Sequence, residues 1–195
     1  MELGLLYSGG KDSTLAALLL EEFYDVTLVT VHFGVTGAHE HAAGAADRLG
    51  LAFRAVELDR GVGEAAADRI VADGFPRNGI QAVHEHALET VADSYAAVAD
   101  GTRRDDRAPT VSRATAQSIE DRHDTDYLAP LAGVGRGAVD YLAETALRVE
   151  SGPSECVEKA DYEAELRALV AAEYGADTVG AVFPDHEQSR VLGRR

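Results

Sequence analysis

Six consecutive residues, Ser8-Gly9-Gly10-Lys11-Asp12-Ser13, carry the clearest chemistry in this 195-residue chain. Their two glycines allow a tight turn with no side chain in the way, so backbone N–H groups can converge on an anion. Lys11 adds a compact point charge that suits a phosphate oxygen. Only one other lysine, Lys159, occurs in the chain, and every other cationic side chain apart from histidine is an arginine. Leu3 to Tyr7 reads as a buried strand ahead of the hexapeptide. Behind it Leu15, Leu18, Leu19 and Phe23 recur at helical spacing, with Asp12 and Ser13 as N-caps. The N-terminus of such a helix favours an exposed anionic group by about 0.3–1 kcal/mol. A strand, a glycine turn and a helix start together make a phosphate site.

The spacing is neither that of Walker A nor the Gly-x-Gly-x-x-Gly of dinucleotide folds. The hexapeptide resembles the PP-loop of the N-type ATP pyrophosphatases, Ser-Gly-Gly-x-Asp-Ser, and all six positions fit. The chain is thus similar to a small, single-domain, archaeal-type member of that superfamily. The resemblance implies an adenine nucleotide alpha hydrolase-like fold in which Ser8, Gly9, Gly10, Lys11, Asp12 and Ser13 hold the phosphates of ATP. It further implies attachment of AMP to a substrate oxygen while pyrophosphate leaves, with Lys11 and Asp12 in catalytic roles.

The elements that position this loop read as an alternation. Asp25–Phe33 is a second strand rich in β-branched residues, and 39–49 a helix closed by Gly50. Residues 53–58 form a third strand, 62–72 and 80–92 two helices, and 95–99 a fourth strand. The stretch 111–121 is helical, 127–131 a fifth strand or the turn out of one, and 137–149 a helix. Strands alternating with helices predict an α/β domain over residues 1–150, a doubly wound parallel five-stranded sheet with helices on both faces. The expected order, 3-2-1-4-5, puts strands 1 and 4 side by side and their outgoing loops across one crevice.

The loop after strand 4 runs Asp100-Gly101-Thr102-Arg103-Arg104-Asp105-Asp106-Arg107-Ala108-Pro109. Gly101, Thr102, Asp105 and Asp106 match a Gly-Thr followed by paired Asp that several PP-loop families carry here. Adjacent carboxylates at a strand end suit Mg²⁺, a hard cation that takes one or two carboxylates plus substrate phosphates. The expected metal ligands are Asp12 with Asp105 or Asp106. Arg103, Arg104 and Arg107 can offset triphosphate charge, with Arg104 as the catalytic candidate. The resemblance places the nucleotide against Gly101 and Thr102, the adenine beside His32 at the end of strand 2, and Pro130-Leu131 in the wall.

Residues 151–195 are expected to form a helical extension packed on or near the site, with Asp161 capping a helix whose face is Tyr162, Leu166, Leu169 and Val170. Cys156, near Lys159, is a candidate sulfur carrier or an inert buried thiol. The polar segment 183–190 either folds back to the crevice as an acceptor-site element or extends into solvent. His39/His41 and His84/His86 look like metal pairs, but i and i+2 point to different sides of a helix.

One cysteine excludes an intramolecular disulfide and an all-cysteine zinc site. A formal charge of −16 with almost no lysine points to a cytoplasm of very high salt, and disfavours constitutive nucleic-acid binding without excluding a local basic site. No basic n-region with an apolar stretch opens the chain, and no run of 18 apolar residues occurs, so a cytoplasmic protein with no membrane partner is expected. The function expected is ATP-dependent adenylation of an acceptor oxygen in tRNA base modification of the thiolation type. The alternatives are an amide-forming ligase of the asparagine, GMP or NAD synthase or diphthine–ammonia ligase kind, and a non-catalytic ATP-binding regulator. A tRNA acceptor would need the Arg103–Arg107 patch or a partner subunit, and a homodimer stays open.

Overall fold

The computed structural model describes residues 1–153, 157 and 160–195. Cys156 and Lys159, the candidate thiol and its neighbouring ammonium, lie outside the described residues. Five strands run parallel: β1 (Glu2–Leu6), β2 (Asp25–His32), β3 (Ala52–Glu57), β4 (Ala97–Ala99) and β5 (Asp126–Leu128). Their order is β3-β2-β1-β4-β5, as the alternation predicts. β1 is central because it is covered on both faces, and its side chains alternate accordingly. Leu3, Leu5 and Tyr7 enter one core and Leu6 the other.

The first core is closed by α1 (Lys11–Leu20), α2 (His39–Leu49) and α6 (Arg136–Ala146). α2 buries Ala42, Ala45, Ala46 and Leu49, small residues that let it lie close to the sheet, and Gly50 ends it in the left-handed region at φ 72°. The second core is closed by α3 (Arg60–Asp73), α4 (Arg77–Ala92), α5 (Arg113–His123), α7 (Tyr162–Tyr174) and α8 (Ala176–Val182). β2 supplies Leu28 to one side and Val29 and Val31 to the other, all buried. Each such side chain contributes about 1.5–3 kcal/mol by leaving water. No helix among the described residues is long and apolar enough to cross a membrane.

Three local expectations change. Gly10, not Asp12 or Ser13, is the N-cap of α1, so both polar residues lie inside the first turn. α6 stops at Ala146, and Leu147 and Val149 belong to β6 (Leu147–Pro153). The segment after 150 is not wholly helical either. β6 pairs antiparallel with β7 (Glu187–Arg194), Val149 facing Val191, and this two-stranded sheet packs on the first core through Leu147 and Val191. The expected α7 forms as read, its N-cap Asp161 accepting from the Ala164 N–H at 3.1 Å.

Candidate active site

The Ser8–Ser13 loop is built by pinning its carbonyls outward. The Ser8 carbonyl accepts the Ala160 N–H at 3.1 Å, and the Gly9 carbonyl accepts the Val191 N–H at 2.9 Å. In a trans peptide the N–H points opposite to the C=O, so these bonds aim the Gly9 and Gly10 N–H groups the other way. Gly9 takes φ 76°, a conformation that a side chain would strain. Thr30 of β2 fixes the entry with a 2.6 Å bond to the Tyr7 carbonyl, and Thr14 fixes the exit with a 2.8 Å bond to the Gly10 carbonyl. The N–H groups of Gly9, Asp12 and Ser13 meet no acceptor among the described residues. Lys11 N–H reaches only the Ser189 hydroxyl, at a long 3.4 Å. Open donors at a helix start are an anion site.

A cavity of about 460 Å³ opens from this loop to the exit of β4, a size within the roughly 300–1,000 Å³ of small-molecule sites. The exit loop approaches α1 too closely to admit a side chain at Gly101. A Cβ on Gly101 would stand 2.7 Å from Ser13 N and 2.8 Å from Ser13 Cα. Residues 186–189 line the same cavity, so the polar segment before the end of β7 folds back to the crevice.

Charges meet at the mouth. Lys11 Nζ lies 3.5 Å from Asp12 Oδ1 and 3.5 Å from Asp140 Oδ1 of α6. Arg103 lies 3.5 Å from Asp12 Oδ2 and grips Asp106 through its own N–H and its guanidinium, at 2.7 and 2.6 Å. Burial works against the Arg103 charge, but Asp106, Asp12 and Asp140 outweigh it and hold the guanidinium above its ordinary value. Asp12 Oδ1 is buried with no hydrogen-bond partner. That carboxylate oxygen, held only by its 3.5 Å ion pair with Lys11, fits a hard divalent cation together with Asp106 in the same cavity wall.

Other expected residues are not brought here. Asp105 turns away, accepting the Arg136 N–H at 3.0 Å and the Arg104 guanidinium at 3.2 Å, and these bonds hold its carboxyl below the usual range. Neighbouring residues in an extended loop diverge, so the Asp105-Asp106 pair is split between the start of α6 and the cavity. Arg104 follows Asp105, 63% exposed, and the arginines that line the cavity are Arg103 and Arg136. His32 stacks on His39 with centroids 4.3 Å apart and accepts the Gly34 N–H at 3.2 Å. It is Val29 and Val31 of the same strand that line the cavity. Thr102, by contrast, does line the cavity with Gly101, and it donates twice to Asp100, at 2.9 Å from its N–H and 2.7 Å from its hydroxyl.

Asp140 comes from a distant segment with no motif, whereas Ser189 belongs to the polar segment 183–190. Asp100 and His84 carry a signal: a polar residue ending a buried strand, and a histidine on the apolar stripe of α4 with Ala87, Leu88 and Val91. No cluster of three metal-binding side chains exists among the described residues.

A family profile matches residues 1–193. The chain belongs to the Family of unknown function (DUF7411). "Uncharacterized protein MJ0690" of Methanocaldococcus jannaschii is 39% identical over 194 residues, covering 99% of this DUF7411 chain and 96% of that protein. The crystal structure of a predicted subunit of tRNA methyltransferase from Methanocaldococcus jannaschii superposes with a TM-score of 0.91 at 39% identity, covering 100% of this chain and 98% of that one. The U34-tRNA thiolase NcsA from Methanococcus maripaludis, solved with its 4Fe-4S cluster, superposes with a TM-score of 0.56 at 21% identity, over 74% of this chain and 56% of that one. That likeness is one of fold, the α/β sheet expected of an adenine nucleotide alpha hydrolase-like protein.

Proposed function

We propose that this cavity binds ATP and that the protein transfers AMP to an acceptor oxygen, releasing pyrophosphate, in the modification of tRNA. The observation that carries the reading is the pair of open N–H donors at Asp12 and Ser13 beside Lys11 and Arg103 on one cavity. Backbone amides and Lys11 hold the phosphates, and Arg103 takes the compensating role expected of Arg104. Asp12 and Asp106 would hold Mg²⁺, which supplies charge neutralisation at the phosphates. The acceptor oxygen attacks the α-phosphorus in line, and the rate comes from positioning and preorganised charge without a covalent protein nucleophile.

The tRNA context rests on what the two superposed proteins are described as, a predicted tRNA methyltransferase subunit and a tRNA thiolase. The first favours a second reading, a subunit of a tRNA-methylating assembly. Lys11 and Arg103 speak for phosphates in this cavity rather than for a cationic sulfonium methyl donor. The test is pyrophosphate release from ATP with Mg²⁺ and total tRNA at molar KCl, alongside ATP and S-adenosylmethionine titrations. ATP binds and S-adenosylmethionine does not if the reading holds. Lys11→Ala should weaken ATP by about ten- to hundredfold, the loss of one charge-assisted bond of about 1.5–3 kcal/mol. Unchanged ATP affinity in Lys11→Ala would remove the loop from the site.

A further inference from the structure

Three polar groups in the cavity have no task in the phosphate chemistry. His84 is 3% exposed and Asp100 1% exposed. His84 Nε2 lies 2.8 Å from Asp100 Oδ2, and Tyr162 Oη lies 3.3 Å from His84 Nδ1. Asp100 accepts on both oxygens, from the Tyr127 hydroxyl at 2.9 Å on one and from Thr102 on the other. Burial pushes its carboxyl up, but the bond to His84 and the remaining donors pull harder and hold it below the usual range.

An ionised carboxylate can only accept, so the hydrogen between it and the ring belongs to His84 Nε2. In the neutral ring Nδ1 then carries the lone pair, to which the Tyr162 hydroxyl can donate. Burial first, then the charges of Asp100 and Asp161, raise the Tyr162 phenol, which therefore keeps its proton at neutral pH. The groups that face the ring are thus Asp100 at the exit of β4, with Tyr127 of β5 behind it, and Tyr162 of α7, with Asp161 next to it in sequence. A carboxylate, an imidazole and a hydroxyl in series pass a proton from the hydroxyl end to the ring. Here all three line the cavity that Lys11 and Ser13 also line.

We infer that Tyr162, His84 and Asp100 form a relay that takes the acceptor's proton as its oxygen is adenylated. The relay rests on the adenylation reading above. As the acceptor O–P bond forms, the P–O bond to pyrophosphate breaks and its electron pair leaves with pyrophosphate. The acceptor's O–H proton, or the N–H proton of an amide-type acceptor, passes to Tyr162 Oη. The Tyr162 proton passes to His84 Nδ1, and Asp100 holds the resulting imidazolium. Tyr162 is the catalytic member, and His84 and Asp100 position and charge it. A carboxylate acceptor has no such proton to lose, so the relay assigns the acceptor to hydroxyls and amide-type carbonyls.

The experiment follows pyrophosphate release between pH 5.5 and 9 with Mg²⁺-ATP and total tRNA from a strain lacking this gene. Wild type, Tyr162→Phe and His84→Gln are compared, each checked by thermal unfolding and by titration with a non-hydrolysable ATP analogue. Tyr162→Phe removes one oxygen from a half-buried ring and is the variant most certain to fold. It is expected to lower kcat about 10²-fold or more, in the range of general acid–base catalysis, and to flatten the rising limb of the pH profile. Its affinity for the analogue stays within twofold of wild type. If Tyr162→Phe turns over at the wild-type rate with the wild-type limb, the relay is overturned and the adenylation reading survives. If wild type neither binds the analogue nor releases pyrophosphate, both fall together.

Discussion

Gly101 shows how much of this site depends on the absence of an atom. The exit of β4 and the first turn of α1 touch backbone to backbone, and this contact sets the width between the phosphate loop and Thr102. A methyl group at 101 would meet Ser13 N at 2.7 Å, and no flexible side chain is there to yield. Gly101→Ala therefore forces the two loops apart, an overpacking of about 1–3 kcal/mol. For a chain of this length that lowers Tm by about 2–4 °C per kcal/mol. ATP affinity should fall at least tenfold, because the open N–H groups and Arg103 no longer face one ligand. Gly133→Ala is the control, since a Cβ there meets nothing within 4 Å. Calorimetry and ATP titration of the two variants check the prediction, and a Gly101→Ala protein with wild-type Tm and affinity would refute it.

At the scale of elements, α7 belongs to the site even though it follows the five-stranded sheet in sequence. Its Glu165 accepts the Phe33, Val35 and Thr36 N–H groups at 2.8, 3.2 and 2.7 Å, and the Thr36 hydroxyl at 2.5 Å. One carboxylate thus ties the exit of β2 to the helix that presents Tyr162. Burial pushes the Glu165 carboxyl up, but the Thr36 hydroxyl and the three N–H donors outweigh it, so its folded value is below the ordinary one. A depressed carboxylate stabilises the fold above its unfolded value of about 4.3, and that contribution is lost as pH falls through the folded value. Glu165→Gln should lower Tm at pH 7 by an amount matching about 2–3 kcal/mol, a charged hydrogen bond's worth. The gap to wild type should close as pH is taken from 5 to 3, and thermal scans over that range measure it. A gap that stays constant would mean the carboxylate's charge contributes nothing.

The same scale explains what could be read in advance. The strand order was legible because DVTLVTVHF, rich in β-branched residues, and the apolar YAAVA alternate with helices that close in glycine or turn residues. The hexapeptide was legible because its function needs fixed neighbours in sequence. The β6–β7 pair was not, since its strands lie some 40 residues apart and share only Val149 opposite Val191 as large apolar partners. The His84–Asp100–Tyr162 chain draws its residues from α4, the loop after β4 and α7, and no local spacing marks it. Which of Asp105 and Asp106 would face the cavity was not legible, because adjacency in sequence says nothing of which way two side chains in an irregular loop will turn.

For the molecule as a whole, the formal charge of −16 spread over 195 residues means that folding brings like charges together. Self-repulsion of this kind destabilises the compact state and is weakened by salt. The Debye length falls from about 10 Å at 0.1 M salt to about 3 Å at 1 M, shorter than most spacings between surface carboxylates. Tm should therefore rise between 0.1 and 1 M KCl by about 5–10 °C, equivalent to about 2–3 kcal/mol for a chain of this size. Most of the gain should come before 1 M, since screening is then nearly complete. The buried His84–Asp100 hydrogen bond changes little, because the protein itself shields it from mobile ions. Thermal unfolding in KCl, with sucrose at matched osmolality as the control, separates screening from general exclusion of solute. A Tm that ignores KCl, or that sucrose raises equally, would show that the acidic surface is neutral toward stability. A Tm that follows KCl alone ties the lysine-poor, carboxylate-rich composition to the salt in which this fold is meant to hold its cavity open.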